Sequence, residues 1–272
     1  MGGSKILFLG TGGDAFVIGK QYRASGGIIF EFDDNQFHID PGPGSLVMAK
    51  MMGVNLRETT AVFITKNDIF RANDGNAVIS AMTHEGMDER GVLVCPSSVL
   101  IDEDKKKGPF VNKLYKNYLE KSIAVDNTKK LGINNVDIEI IELKEPLENE
   151  CGIKFITPKF NLAYIPDTVL TNNLLAELEE IDVLILGVRE PKGSQKKDCM
   201  TSDGAEKIIK KVKPQLAILT GFGVKMLQAD PLYEAREIQR ETGVQIIAAK
   251  DGMSINPISF AATVRQKSLK GF

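Results

Sequence analysis

Histidine is scarce in this chain: only His38 and His84 occur, and none follows residue 84. His38 stands in a β-rich run two residues before Asp40, where it is either a hydrogen-bonded strand residue or a lone base. His84 follows a helical segment and suits a helix C-terminus, where a cation offsets the dipole. Three cysteines, Cys95, Cys151 and Cys199, lie far apart with no C-x-x-C pair. That spacing excludes a zinc knuckle or a thioredoxin-type redox site and leaves buried thiols. Cys199, in KKDCMTSDG, would be a nucleophile only beside a base that lowers its pKa. Asp167 and Thr168, in IPDT, are either a turn-stabilising pair or the holder of a hydrolytic water.

The run GTGGDA carries Gly10, Gly12 and Ala15 in the G-x-G-x-x-A spacing of a dinucleotide-binding turn. That fingerprint needs a crossover helix next, and FVIGKQYRASGG is short and glycine-rich for one. A dinucleotide site therefore stays as an alternative. The other reading is a tight turn at Gly12, Gly13 and Asp14 that brings backbone amides to a pocket at a sheet edge.

Elements that could hold such groups alternate along the chain. KILFLG, GIIFEF and QFHID predict an antiparallel opening. AVFIT, a helix over 76–82, GVLVC and a helix over 110–120 follow as α/β alternation. VDIEIIEL, IKFIT and NLAYIPDT form a second meander, and then helices over 172–180, 202–213 and 231–242 alternate with DVLILG, QLAILTG and QIIAA. Each half runs a meander into an Asp-containing turn, IDPGPG or IPDT, so residues 1–272 are expected to form one α/β domain with two sheets inside and helices outside. The charged run in IDEDKKKGPF is expected to be a solvated loop. With 34 basic against 36 acidic residues in 272, the net charge of -2 gives no nucleic-acid or anionic-membrane signal. No apolar run approaches the roughly 18 residues of a membrane span, and no leader pattern opens the chain, so a cytoplasmic location is expected.

The order of FLGTGGDAF, FHIDPGPGSL, AVFIT, AYIPDT and KPQLAILTGFG resembles the metallo-β-lactamase superfamily over essentially the whole chain. The resemblance implies a four-layer αββα sandwich. It also implies a dinuclear metal site, usually zinc, that lowers the pKa of a bridging water for attack on a carbonyl or phosphorus centre. In this sequence the four ligand slots after Thr65 hold Lys66, Asp68, Phe70 and Arg71. The middle histidine slot falls in KEPLENE, and Gly221 stands where the last histidine would follow Thr220. Of the family's set, Asp167 matches the bridging aspartate and Asp40 the supporting aspartate of the first turn.

Without imidazole or thiolate ligands, and with an ammonium and a guanidinium in ligand slots, tight zinc binding is not expected. Lys66 and Arg71 are expected to neutralise Asp40, Asp68 and Asp167. The resulting expectation is a non-catalytic member of this fold, without cofactor, that has a binding or regulatory role toward an unidentified small molecule or protein. The alternative is an active hydrolase with Mg, Mn or Zn on an aspartate-based site, Asp68 and Asp167. Three carboxylates against two cations give a local charge of -1, which favours an empty or water-filled pocket over an anion site.

Overall fold

The computed structural model describes residues 3–101, 110–125, 129–143 and 150–264. In chain order these form β1 (Lys5–Phe8), α1 (Ala15–Gly19), β2 (Ile28–Phe32), β3 (Asn35–Ile39), α2 (Ser45–Met51), β4 (Ala61–Phe63), α3 (Ile69–Ala72), α4 (Gly75–Thr83), β5 (Val92–Cys95), α5 (Ser97–Leu100), α6 (Lys113–Lys116) and β6 (Lys121–Ala124). The second half contains β7 (Lys130–Ile133), β8 (Val136–Glu142), β9 (Cys151–Ile156), β10 (Asn161–Ile165), α7 (Asn172–Glu177), β11 (Val183–Gly187), α8 (Ser202–Val212), β12 (Leu216–Thr220), α9 (Val224–Ala229), α10 (Pro231–Thr242), β13 (Gln245–Ala248), β14 (Met253–Ile255) and β15 (Ala262–Val264).

Two sheets pack face to face. One has the order β15-β14-β1-β2-β3-β4-β5-β6 and the other β13-β12-β11-β10-β9-β8-β7. Residue patterning explains the layers. In β8 the alternation VDIEIIE turns Val136, Ile138 and Ile140 into the space between the sheets and leaves Asp137 exposed. β11 and β12 are apolar throughout because both their faces are covered: Ile185 and Ile218 meet the other sheet, while Leu184, Leu186, Ala217 and Leu219 meet helices. Between the sheets Phe37 stacks on Phe155 at 5.5 Å, and Phe63 meets Phe155 edge-on at 5.3 Å. α7 to α10 cover the second sheet and α2 and α4 the first. This is the αββα sandwich expected from the motifs.

Helix ends follow local chemistry. Thr201 caps α8 by accepting from the Gly204 amide, with Asp203 in the first turn and Lys210 and Lys211 in the last. α10 has Pro231 at its first turn and ends at Gly243 with φ 72°. The long helix expected over 110–120 is reduced to α6. α2 and α9 escape sequence reading because the residues at their N-termini, Gly44 and Gly223, are glycines with no side chain of their own to cap them. The charged run at 102–109 and most of KEPLENE, 144–149, lie outside the described residues. β1 leads into a five-residue α1, and β2 then pairs antiparallel with β1. The dinucleotide reading of GTGGDA fails here, because that turn works only inside a parallel βαβ unit. Among the described residues no helix is long and apolar enough to cross a membrane.

His38 illustrates how tightly the sandwich closes. Its ring is fully buried on β3, with Nε2 2.6 Å from Ser45 Oγ, which in turn donates to the Gly26 carbonyl at 2.5 Å. Ser45 therefore accepts from the ring, and Nδ1 carries no proton and has no partner among the described residues. Burial, only partly opposed by the Gly26 carbonyl, lowers the imidazole pKa to about 3. His38 is a structural residue rather than a base. His84 ends α4 in the left-handed region, φ 49°, with its amide on the Ser80 carbonyl.

The unfolded chain protonates His38 below its ordinary pKa of about 6.5, whereas the native state stays neutral down to about 3. Stability should therefore fall by about 1.4 kcal/mol per pH unit between these limits on this account alone. Urea unfolding at pH 7.0, 5.5 and 4.5 should show a shallower pH slope in His38→Gln than in the wild type; equal slopes would show that His38 does not stay neutral.

Candidate functional site

A cavity of about 390 Å³ opens where the ends of β1, β3, β4, β10, β11 and β12 meet, lined by Asp40, Lys66, Asp68, Phe70, Arg71, Tyr164, Asp167, Arg189 and Gly221, with Gly12, Gly13 and Asp14. All the site positions drawn from the sequence come together there. They do not form the charge cluster expected.

Asp40 follows β3 in a left-handed conformation, φ 51°, which turns its carboxylate back toward the neighbouring strand. Its Oδ1 accepts from the Thr65 amide at 2.7 Å, and Thr65 Oγ1 lies 2.9 and 2.8 Å from the two oxygens. Oδ2 accepts from Arg71 Nη1 and from the Tyr164 hydroxyl, both at 2.8 Å. Arg71 Nη1 also donates to the Tyr164 oxygen at 2.8 Å. Burial disfavours the charged guanidinium, but the Tyr164 oxygen and the Asp40 carboxylate outweigh it and push the Arg71 pKa up. Burial, with Asp40 beside it, also pushes the Tyr164 hydroxyl up, so the phenol stays neutral and donates. Arg71 therefore neutralises Asp40 as expected.

Lys66 goes elsewhere. Its Nζ pairs at 3.1 Å with Glu150 Oε2, a buried carboxylate at the end of KEPLENE, where the resemblance places the middle histidine. A bridge between Lys66 and Glu150, and the Cys151 amide donating to the Thr65 carbonyl at 2.9 Å, fix this contact between the two sheets. Asp68 caps α3 by accepting from the Phe70 amide at 2.7 Å, and among the described residues it pairs with neither cation.

Asp167 meets a cation that sequence reasoning missed. Arg189, just after β11, places Nε 3.3 Å from Asp167 Oδ2 and Nη2 3.2 Å from Asp198. Asp167 Oδ1 accepts from the Met200 amide at 2.8 Å, so this carboxylate ties two loops together rather than stabilising its own turn. Burial raises the Asp167 pKa, opposed by Arg189, Met200 and Arg71. Cys199 is buried, and burial pushes its thiol up despite Arg189 nearby, which removes it as a nucleophile.

The glycine turn holds backbone against backbone. Gly12 and Gly13 donate their amides to the Ala24 and Phe222 carbonyls, both at 2.9 Å. A Cβ on Gly13 would lie 1.9 Å from the Gly221 oxygen. Asp14 accepts from the Val17 amide at 2.8 Å and the Val224 amide at 3.0 Å, capping α1 and α9 together. The amides of Gly12 and Gly13, expected to face a ligand, are therefore engaged within the fold.

A dinuclear metal centre does not fit this donor set. Lys66 and Arg71 bring positive charge, Phe70 and Gly221 offer no donor atom, and Asp40 and Asp167 are held by arginines. Among the described residues no group of three or more His, Cys, Asp or Glu side chains is placed to hold a metal ion.

Removing Arg71 would leave the Asp40 carboxylate buried without its cation, which typically costs about 3–5 kcal/mol. Arg71→Ala should lose stability on that scale in chemical denaturation, and Asp40→Asn added to it should lose much less than the sum of the two single changes. Strictly additive losses would show that the pair is not coupled.

No family model matches the sequence. The chain is 26% identical over 253 residues to MJ1374, an uncharacterized protein of Methanocaldococcus jannaschii, covering 92% of this chain and 94% of that one. Among solved structures it is similar to the metallo-β-lactamase fold protein YhfI from Bacillus subtilis, with a TM-score of 0.74 at 16% identity over 93% of this chain and 99% of that chain. It is also similar to Zn²⁺-bound PqqB from Methylobacterium extorquens, with a TM-score of 0.68 at 13% identity over 92% and 99%. The agreement of whole-chain topology with these proteins gives this chain the metallo-β-lactamase fold.

Proposed function

We propose that this protein uses the metallo-β-lactamase fold as a metal-independent ligand-binding module and does not carry out metal-dependent hydrolysis. The observation that carries the reading is the Arg71 guanidinium at 2.8 Å from Asp40, in a slot where a hydrolase of this fold would have a metal ligand. A divalent ion brought here would meet Lys66, Arg71 and Arg189; at about 5 Å and an effective dielectric near 20, each repulsion costs about 7 kcal/mol. Carboxylates that could compensate already hold those cations or cap helices.

Hydrolysis also needs a group that takes a proton from water. Asp167 is the cavity carboxylate raised by burial, yet its two oxygens face the Met200 amide and Arg189. With an amide donor on one oxygen and a guanidinium beside the other, Asp167 is a weakened acceptor for a proton from water. Binding in this cavity then proceeds without turnover.

Protein expressed in medium supplemented with zinc, manganese and iron should carry far less than one equivalent of any of them by elemental analysis, and should hydrolyse neither a generic phosphodiester nor a generic β-lactam. Placing histidines at the first two slots, Lys66→His with Asp68→His, should not create metal-dependent turnover, because Phe70 and Gly221 still supply no donor. Stoichiometric metal in the wild type, or turnover in the double variant, would refute the reading.

A further inference from the structure

We infer that the cavity binds a small phosphomonoester dianion, gripped by Lys66, Arg71 and Arg189 in the space where a hydrolase of this fold would hold metals; the inference rests on the metal-independent reading above. Formal charge alone argues against an anion, so the case depends on which hydrogen-bonding capacity remains open. The carboxylates are largely engaged. Asp40 has donors on both oxygens, Asp14 accepts two main-chain amides, Asp167 has Met200 and Arg189, and Glu150 has Lys66. Asp68 accepts through Oδ1, and its Oδ2 makes no hydrogen bond among the described residues.

The cations keep donors to spare. An ammonium offers three N–H groups and a guanidinium five. Among the described residues, Lys66 uses one partner, Arg71 bonds through Nη1 alone, and Arg189 bonds through Nη2 while its buried Nε satisfies no hydrogen bond despite the nearby Asp167. Their side chains retain 35%, 19% and 22% exposure, so each still reaches the cavity it lines. They come from three separate segments: the turn after β4, helix α3 and the loop after β11. Both guanidiniums act on the same Asp167 carboxylate, as does the Glu150 that holds Lys66, so the three cations share one neighbourhood.

Geometry selects the anion. Donors carried on three separate segments around one cavity suit a tetrahedral group with three terminal oxygens better than a carboxylate, which presents two oxygens in one plane. A cavity of about 390 Å³ lies in the lower part of the range for small-molecule sites, about 300–1,000 Å³, and leaves room for a short organic group beyond the phosphate. Asp68 is the opposing charge that keeps affinity modest.

Chelator-treated protein should be titrated calorimetrically at low salt with glycerol 3-phosphate, inorganic phosphate, acetate and glycerol. Saturable binding is expected for the two phosphates and none for acetate or glycerol, weakening as salt is raised. Lys66→Gln and Arg189→Gln, each checked for native circular dichroism, should weaken glycerol 3-phosphate at least tenfold, and Asp68→Asn should tighten it. Arg71 is left unchanged in these variants because its loss threatens the fold; if Arg189→Gln fails to fold, Lys66→Gln decides. No phosphate binding by metal-free, folded wild type, or binding unaffected by Lys66→Gln, would overturn the anion site while leaving the metal-independent reading standing. Binding that appears only after zinc is added, with zinc held stoichiometrically, would overturn both.

Discussion

The buried Asp40 carboxylate is the constraint around which this end of the sandwich is arranged. A carboxylate taken out of water is tolerated only when its oxygens are filled by donors and its charge is matched. Here the donors come from both sheets: Thr65 follows β4, Arg71 lies on α3, and Tyr164 sits on β10. The left-handed turn at Asp40 aims the carboxylate at them, and the parallel pairing of β3 with β4 brings Thr65 alongside. Shifting β4 or β10 by one residue would point Thr65 or Tyr164 to the opposite face and leave the charge unmatched.

Side-chain pairs join the segments that surround the cavity. Lys66 to Glu150 links the turn after β4 with the start of β9, Arg71 links Asp40 with Tyr164, and Arg189 links the loops after β10 and β11. Each pair is at least half-buried, so its attraction is less screened than on an open surface. An ion pair ties two segments together as a shared ligand would, but it supplies no Lewis acid.

The layers of the fold were legible from residue order because β8, β11 and β12 declare their faces through alternation or continuous apolarity, and because Asp40, Asp167 and the glycine turn sit in distinctive local motifs. The residue types in the slots that the resemblance marks, Lys66, Asp68, Phe70, Arg71 and Gly221, could be read from the sequence, and the structure gathers them around one cavity. Their pairings were not legible. Arg189 and Glu150 lie in sequence far from the motifs they complete, and nothing local marks VRE or KEPLENE as partners of Asp167 and Lys66. Tyr164 lay inside a motif already noted, but its role depends on β10 facing Asp40 across the two sheets. The tally of Asp40, Asp68 and Asp167 against Lys66 and Arg71 was also incomplete, since Asp14 and Arg189 line the same cavity and Glu150 pairs with Lys66.

The protonation states of the cavity point the same way as its donors. An acid–base catalyst draws groups toward neutral pH, and active sites are where such displacements collect. In this cavity Arg71 and Tyr164 move away from neutrality, fixing one as a cation and the other as a neutral hydroxyl. His38, the titratable ring nearest in sequence to Asp40, is sealed between Ser45 and the core with its pKa lowered to about 3. Asp167 is raised by burial, but Arg189 and the Met200 amide oppose the shift. Arg71 as a cation and Tyr164 as a neutral hydroxyl present constant partners to whatever enters. Constancy of that kind suits recognition, because a ligand then meets the same two donors through ordinary changes of pH.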